Sequence, residues 1–337
     1  MRLPRVAVLA LLSLAACNGA LLAPWSSAPD QPAMPGMDTA SMYGSYDAYL
    51  RGTPEGITQS SSLWSAADGI GFAPDGQHGV AGLVSMACRF DVFTGNIDLD
   101  LDPDTNGTEQ VDDGTTDDSG NLVVLTSTDR GLQITRFLDW DGNTTTRYAA
   151  VGVVDGRFTH DGVVGLQQGS RCAVRWYPSD VTASVGQHCG GLAVAADGRV
   201  FVAADGTLKV VTPDGAVTDT GVGADLVAWD PVHSLAFTAR NGDMRLLAVH
   251  PDGQVAWRHE LTSNVTALAA LPDRGQAVVG LAPVGTEGGL VVLDGAAGDL
   301  AGHADTYEAP NRLYAAQSGG VFAARTAYDT HLLRADR

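Results

Sequence analysis

The chain of 337 residues has a single lysine, Lys209, and its 20 basic residues face 39 acids for a formal net charge of −19. Binding a phosphate backbone requires clustered Lys and Arg, so this balance excludes nucleic acid as a partner. The same scarcity excludes docking on an anionic lipid surface through charge. Long hydrophobic runs are missing too. The opening stretch, residues 6–16 behind Arg2 and Arg5, is too short to cross a bilayer as a helix. Helical periodicity is nearly absent after residue 51, which excludes solenoids of helix pairs. Catalytic signatures are lacking as well: there is no Gly-x-Ser-x-Gly elbow, no His-Glu-x-x-His pair and no phosphate-cradling glycine loop. The eight histidines stand singly.

The chain is rich in glycine, with 41 residues, and apolar over 45% of its length, enough to bury a sizeable core. Residues 1–16 have the form of a secretory signal, two arginines ahead of a short apolar run. Leu14-Ala15-Ala16-Cys17 then resembles the bacterial lipobox. That resemblance implies a lipid-modified Cys17 as the first mature residue, and Asn18, in place of Asp, implies the outer membrane. Several acyl chains on one terminus suffice for stable membrane anchoring. Losing two arginines would take the charge from −19 to −21. Residues 17–50, rich in Pro, Ser, Ala and Met, read as a flexible tether that Tyr43, Tyr46 and Tyr49 could dock locally.

From residue 51 to 337 the sequence repeats itself. "GIGFAPDGQHGVAG" (69–82) has related stretches at 111–125, 153–166 and 191–204, and weaker copies at 226–239, 268–281 and 312–325. Each is a short apolar run, a tight turn and a second apolar run, which is a β-hairpin. The turns sit near Gly76, Gly120, Gly162, Gly198, His233, Gly275 and Gly320. A second hairpin follows in most repeats, with turns at Gly95, Gly142, Gly215, Gly253 and Gly295. Four strands per unit of about 41 residues predict an all-β propeller blade. Seven first hairpins predict a seven-bladed ring, with six or eight as the error range. The last repeat stops at its third strand, "HLLRADR" (331–337), while "EGITQSSSLW" (55–64) precedes the first full repeat. Pairing these two ends would complete the blade, close the ring and remove its exposed edges.

"FAPDG" (72–76) resembles the WD40-like repeat of TolB-type propellers, and the middle repeats resemble quinoprotein-like and NHL-type blades. True WD40 repeats close a blade on Trp-Asp, whereas Trp229-Asp230 falls here in a first hairpin.

Two sites stand out. In blade topology Cys172 begins a third strand and Cys189 lies on the link into the next blade, on the same rim, so an exported chain would join them as a disulfide. Cys88 is left over as a small core side chain. "DPDTNGTEQVDD" (102–113) resembles an EF-hand type calcium loop: Asp102, Asp104, Asn106 and Thr108 precede Asp113 at the twelfth position, around Gly107. Hard Ca²⁺ takes six to eight oxygens, and nine acids between Asp98 and Asp118 would repel one another without a cation. A solvated acidic loop accounts for the same residues, and a Ca²⁺ here would be structural.

The expected function is a non-catalytic, lipid-anchored, extracytoplasmic scaffold that binds a protein or a glycan on one rim or in the channel. The alternatives are a metal-dependent, lactonase-like hydrolase with its site in the channel, and a calcium-stabilised surface adhesion module. The fold is compatible with all three.

Overall fold

Runs of Val, Ala and Leu between glycine turns favour strands, because branched side chains pack well on a pleated surface. The computed structural model describes residues 49–336 except 64–66, 68, 74–75, 84–85, 94, 96, 102–109, 117–121, 129–130, 139–141, 149–151, 160–161 and 285–286. The described residues form 29 strands and no helix.

The chain opens with β1 (Leu50–Glu55) and β2 (Ile57–Leu63). Blade one is then β3 (Ile70–Phe72), β4 (His78–Leu83), β5 (Met86–Asp91) and β6 (Ile97–Leu101). Blade two follows as β7 (Gln110–Thr116), β8 (Leu122–Thr128), β9 (Gly131–Leu138) and β10 (Gly142–Tyr148). Blade three has β11 (Val153–Thr159), β12 (Gly162–Gln168), β13 (Cys172–Tyr177) and β14 (Thr182–Gly186). Blade four has β15 (Cys189–Val194), β16 (Val200–Ala204), β17 (Thr207–Val211) and β18 (Val217–Gly223). Blade five has β19 (Leu226–Asp230), β20 (Leu235–Ala239), β21 (Arg245–Val249) and β22 (Val255–Glu260). Blade six has β23 (Val265–Leu271), β24 (Gln276–Val284), β25 (Glu287–Asp294) and β26 (Leu300–Thr306). Blade seven has β27 (Arg312–Ala315), β28 (Val321–Arg325) and β29 (Thr330–Ala335).

Each blade is an antiparallel meander, and the first strands β3, β7, β11, β15, β19, β23 and β27 form the inner wall. Each inner strand touches the next, and β27 touches β3, so the ring is closed. The architecture is therefore the expected seven-bladed propeller. Closure also follows the expected route: β2 pairs with β29, Ile57 opposite Ala335 and Leu63 opposite Thr330, as the fourth strand of blade seven.

One feature of the N-terminus departs from expectation. Tyr49, one of the tether tyrosines expected to dock locally, does so, while the new element is the strand that starts at Leu50. The chain first adds β1 as a fifth strand on the edge of blade six, Leu50 opposite Thr306, before crossing to blade seven. Tyr49 is buried and stacks on the His331 ring, centroids 4.1 Å apart. Its amide donates to Gln59 Oε1 at 2.9 Å, Gln59 Nε2 donates to Ser62 Oγ at 3.0 Å, and Ser62 Oγ lies 2.9 Å from His331 Nδ1. A buried imidazole is cheapest neutral, and burial lowers the His331 pKa to about 4.

The core lies between blades. Second strands are buried on both faces, as in β16 (VFVAA) and β20 (LAFTA), and so read as continuous apolar runs. Phe201, Phe237 and Phe322 recur in second strands, all with 0% exposure. Outer strands such as β18 and β22 are largely exposed and carry polar residues.

The turn glycines meet two demands. Gly275 and Gly320 adopt φ of +61° and +63°, which a side chain disfavours. The neighbouring blade also fills the place of a Cβ: His233 Cε1 would lie 2.5 Å from one on Gly275, and the Arg274 guanidinium would overlap one on Gly320. First-hairpin turns are thus contact points around the ring, which explains why glycine recurs at that phase.

Candidate functional site in the central channel

In a four-stranded meander, the turns after the first and third strands lie on one rim, called lower here. The turns after the second strand and the links between blades lie on the upper rim. Two chambers open into the channel from these rims. The lower one, about 510 Å³, is bounded by the exit ends of inner strands, including Ala196, Pro231, Pro272 and Gln317. The upper one, about 330 Å³, is bounded by their entry ends and by Asn241 from the turn after the second strand of blade five. Both volumes fall within the range of small-molecule pockets, about 300–1,000 Å³. Asp112, Arg157, Leu192, Val227, Leu268, Leu313 and Tyr314 border both chambers and form a waist.

The charged part of the waist comes from adjacent inner strands. Asp112 and Asp113 stand on β7, Asp155 and Arg157 on β11. Asp112 is buried and accepts from the Ser127 hydroxyl. Asp113 accepts from the amides of Gly114 and Phe158, each at 2.9 Å. The Arg157 guanidinium pairs with Asp155 and donates to the carbonyls of Asp112 at 3.0 Å and Gly156 at 2.6 Å. Burial raises the pKa of both Asp113 and Asp155, working against the pull of Arg157. Burial also works to lower Arg157, but Asp155, Asp113 and Asp112 more than offset it, and the guanidinium ends raised. Three acids around one arginine hold it charged and crowd one another. Gly156 is required between them: a Cβ there would meet Leu125 at 3.0 Å and Asp112 Oδ2 at 3.2 Å.

Cys172 and Cys189 are joined as a disulfide with Cα atoms 5.2 Å apart. It links the start of β13 to the start of β15, on the upper rim between blades three and four, as the topology predicted. That bond removes Cys189 from any zinc site with His188. Of the calcium-loop residues, Asp102, Asp104, Asn106 and Thr108 lie outside the described residues. Asp113, the twelfth position, is in β7, a wall residue of the channel. Among the described residues no three His, Cys, Asp or Glu side chains come together to hold a metal ion. Cys17 lies outside the described residues, as does the side chain of Cys88.

Trp229 and Trp257 pack between blades: Trp229 stacks on Phe201 at 4.5 Å, and Trp257 Nε1 donates to the Gly295 carbonyl at 2.7 Å. Asp230, fully buried, accepts from the Val232 amide at 2.8 Å and meets His233 Nδ1 at 2.7 Å, so the Trp-Asp pair here organises a turn. Sequence reasoning passed over Arg157, Asp155 and Asp112. The available signal was charge on two adjacent inner strands, in "VDDG" (111–114) and "VVDGRF" (153–158), where the inner strands β15 and β23 carry none.

The β-propeller domain of Cps50 (Swd1) from Myceliophteria thermophila, a crystal structure, matches with a TM-score of 0.60 and 10% identity, over 82% of this chain and 99% of that one. This chain has the fold of a WD40-like β-propeller. At that identity the likeness establishes architecture alone, and no family model and no curated protein matches the sequence. The propeller's function therefore has to be argued from its own residues.

Proposed function

We propose that this propeller is a non-catalytic scaffold, anchored in the outer membrane through lipid on Cys17, that binds a protein partner outside the cytoplasm. The observation that carries this reading is the combination of a closed ring with a waist whose acids are committed to Arg157, Ser127 and backbone amides. Such groups stabilise the wall, and the hydrogen bonds they make compete with acid–base work. A closed ring also presents rims with fixed geometry, which keeps the ordering cost of binding low. The membrane reading is supported by the lipobox-like residues 14–17, and release from the membrane surface by the Pro- and Ser-rich stretch that follows.

Crosslinking in intact envelopes, read by mass spectrometry, tests the scaffold: a discrete protein adduct that persists in Asp113→Asn is expected. Hydrolysis of an ester or lactone panel by the wild type, abolished in Asp113→Asn, would overturn it. For the anchor, metabolic labelling with fatty acid is expected to mark the wild type and to miss Cys17→Ser; equal labelling of both ends the anchor reading.

A further inference from the structure

The upper chamber matches the lower one in its balance of polar and apolar surface and differs in which side chains supply it. Besides Asp112 and Arg157, the lower chamber has Asp113, Thr159 and Gln317 among alanines, valines and prolines. The upper chamber has a polar wall over an apolar floor formed by Leu192, Val227, Leu268 and Leu313 at the waist. Its charges are mixed, Asp155 and Asp225 facing the same space as Arg157 and Arg312. An incoming ion of either sign would meet a like charge within a few ångströms, in a site partly withdrawn from water. The overall charge of −19 adds a further penalty for anions. A neutral ligand with many hydroxyls escapes that conflict, because each hydroxyl can donate to a carboxylate or accept from a guanidinium or amide.

Blade five supplies the most suitable wall. The Asn241 backbone amide donates to Asp225 Oδ2 at 3.0 Å, and both residues line the chamber. A carboxylate and a carboxamide lining one space offer acceptors and donors to hydroxyls. The exposed Arg312, two blades away on blade seven, brings a planar fork of donors. Gly190 and Gly191 let β15 pack closely against blade five, which brings Asp225 to the chamber wall. A Cβ on Gly190 would meet the Asp225 carbonyl at 2.7 Å. The apolar floor matches the C–H face of a sugar ring, whose hydroxyls point outward to the polar wall.

We propose that the upper chamber is a binding site for the terminal unit of a neutral saccharide, held by Asp225, Asn241 and Arg312 over the leucine floor. This takes up the glycan that the sequence left open beside a protein partner, and it stands apart from the protein partner and the anchor, since it concerns the channel.

The test is saturation-transfer NMR on the full chain in detergent micelles, followed by titration. The probes are the methyl glycosides of glucose, galactose, mannose and N-acetylglucosamine, with acetate and methylguanidinium as charged controls. At least one neutral glycoside is expected to bind, with affinity falling at least ten-fold in Asn241→Ala and Arg312→Ala. Gln317→Ala, in the lower chamber, is expected to change affinity less than two-fold. Thermal melting qualifies each variant as folded, and Asn241→Ala, at an exposed turn, serves should Arg312→Ala fail. No glycoside binding at millimolar concentration, binding unchanged in Asn241→Ala, or binding confined to a charged control overturns the proposal.

Discussion

The ring is secured at two junctions of opposite character. Between blades three and four the Cys172–Cys189 disulfide joins neighbours covalently on the upper rim. Between blades six, seven and one the N-terminus does the work without a covalent bond: β1 extends blade six, β2 completes blade seven, and Tyr49 lies on His331. The disulfide acts chiefly on the unfolded chain by shortening the loop it can explore. The clasp acts only on the folded state, through burial and strand pairing, so it depends on conditions that change a buried side chain's charge. The comparison separates a latch that tolerates pH from one that tolerates reductant.

The largest expected effect comes from removing residues 1–63. Blade seven then loses its fourth strand, with buried Ile57 and Leu63, and blade six loses its fifth. Single domains have about 5–15 kcal/mol of net stability, so no cooperative melting transition should remain in calorimetry. A sharp transition in that truncated chain would show that the clasp is dispensable. Within the clasp, Leu63→Ala, at 0% exposure, should cost about 2–5 kcal/mol in denaturant unfolding.

Acid comes next. The folded His331 pKa of about 4 lies below its ordinary 6.5, so between those values the unfolded state binds the extra proton. Stability is then full above pH 6.5 and falls as pH drops toward 4, by roughly 3 kcal/mol. Asp113 and Asp155 shift the opposite way: with folded pKa values raised, they favour folding in acid and lose that contribution as pH rises. Comparing His331→Phe with the wild type isolates the histidine, and parallel stability–pH curves for the two proteins would remove it from the clasp. The disulfide closes a sequence separation of 17, and its loss in a Cys172→Ala/Cys189→Ala variant should cost about 3 kcal/mol, unchanged between pH 7 and 5. Smallest is the exposed Arg245–Asp243 pair, where Arg245→Ala should leave the denaturant midpoint unchanged.

The elements themselves were readable from the chain because their causes are local. Alternation, second-strand apolar runs and turn glycines each span a few residues, so Gly76, Gly162, Gly198, Gly275 and Gly320 marked the first hairpins correctly. The truncated last repeat and the spare strand at 55–64 were enough to predict closure through β2 and β29. The placement of Tyr49 was less legible, since its partner His331 lies at the far end of the sequence. Asp113 shows the limit from the other side: its spacing from Asp102 suggests a loop ligand, while its carboxylate accepts from Phe158 of the next blade.

Repetition, turn chemistry and the count of hairpins thus determined by themselves that this protein is a seven-bladed ring closed by its own ends. Tertiary structure alone decided what the ring encloses: an arginine shared among three aspartates, a leucine waist, a polar chamber above it and a strand added to blade six. The reason is physical. Strand and turn preferences act between near neighbours in the chain, whereas a channel is built from one strand of every blade, and its electrostatics exist only once burial has brought those strands together.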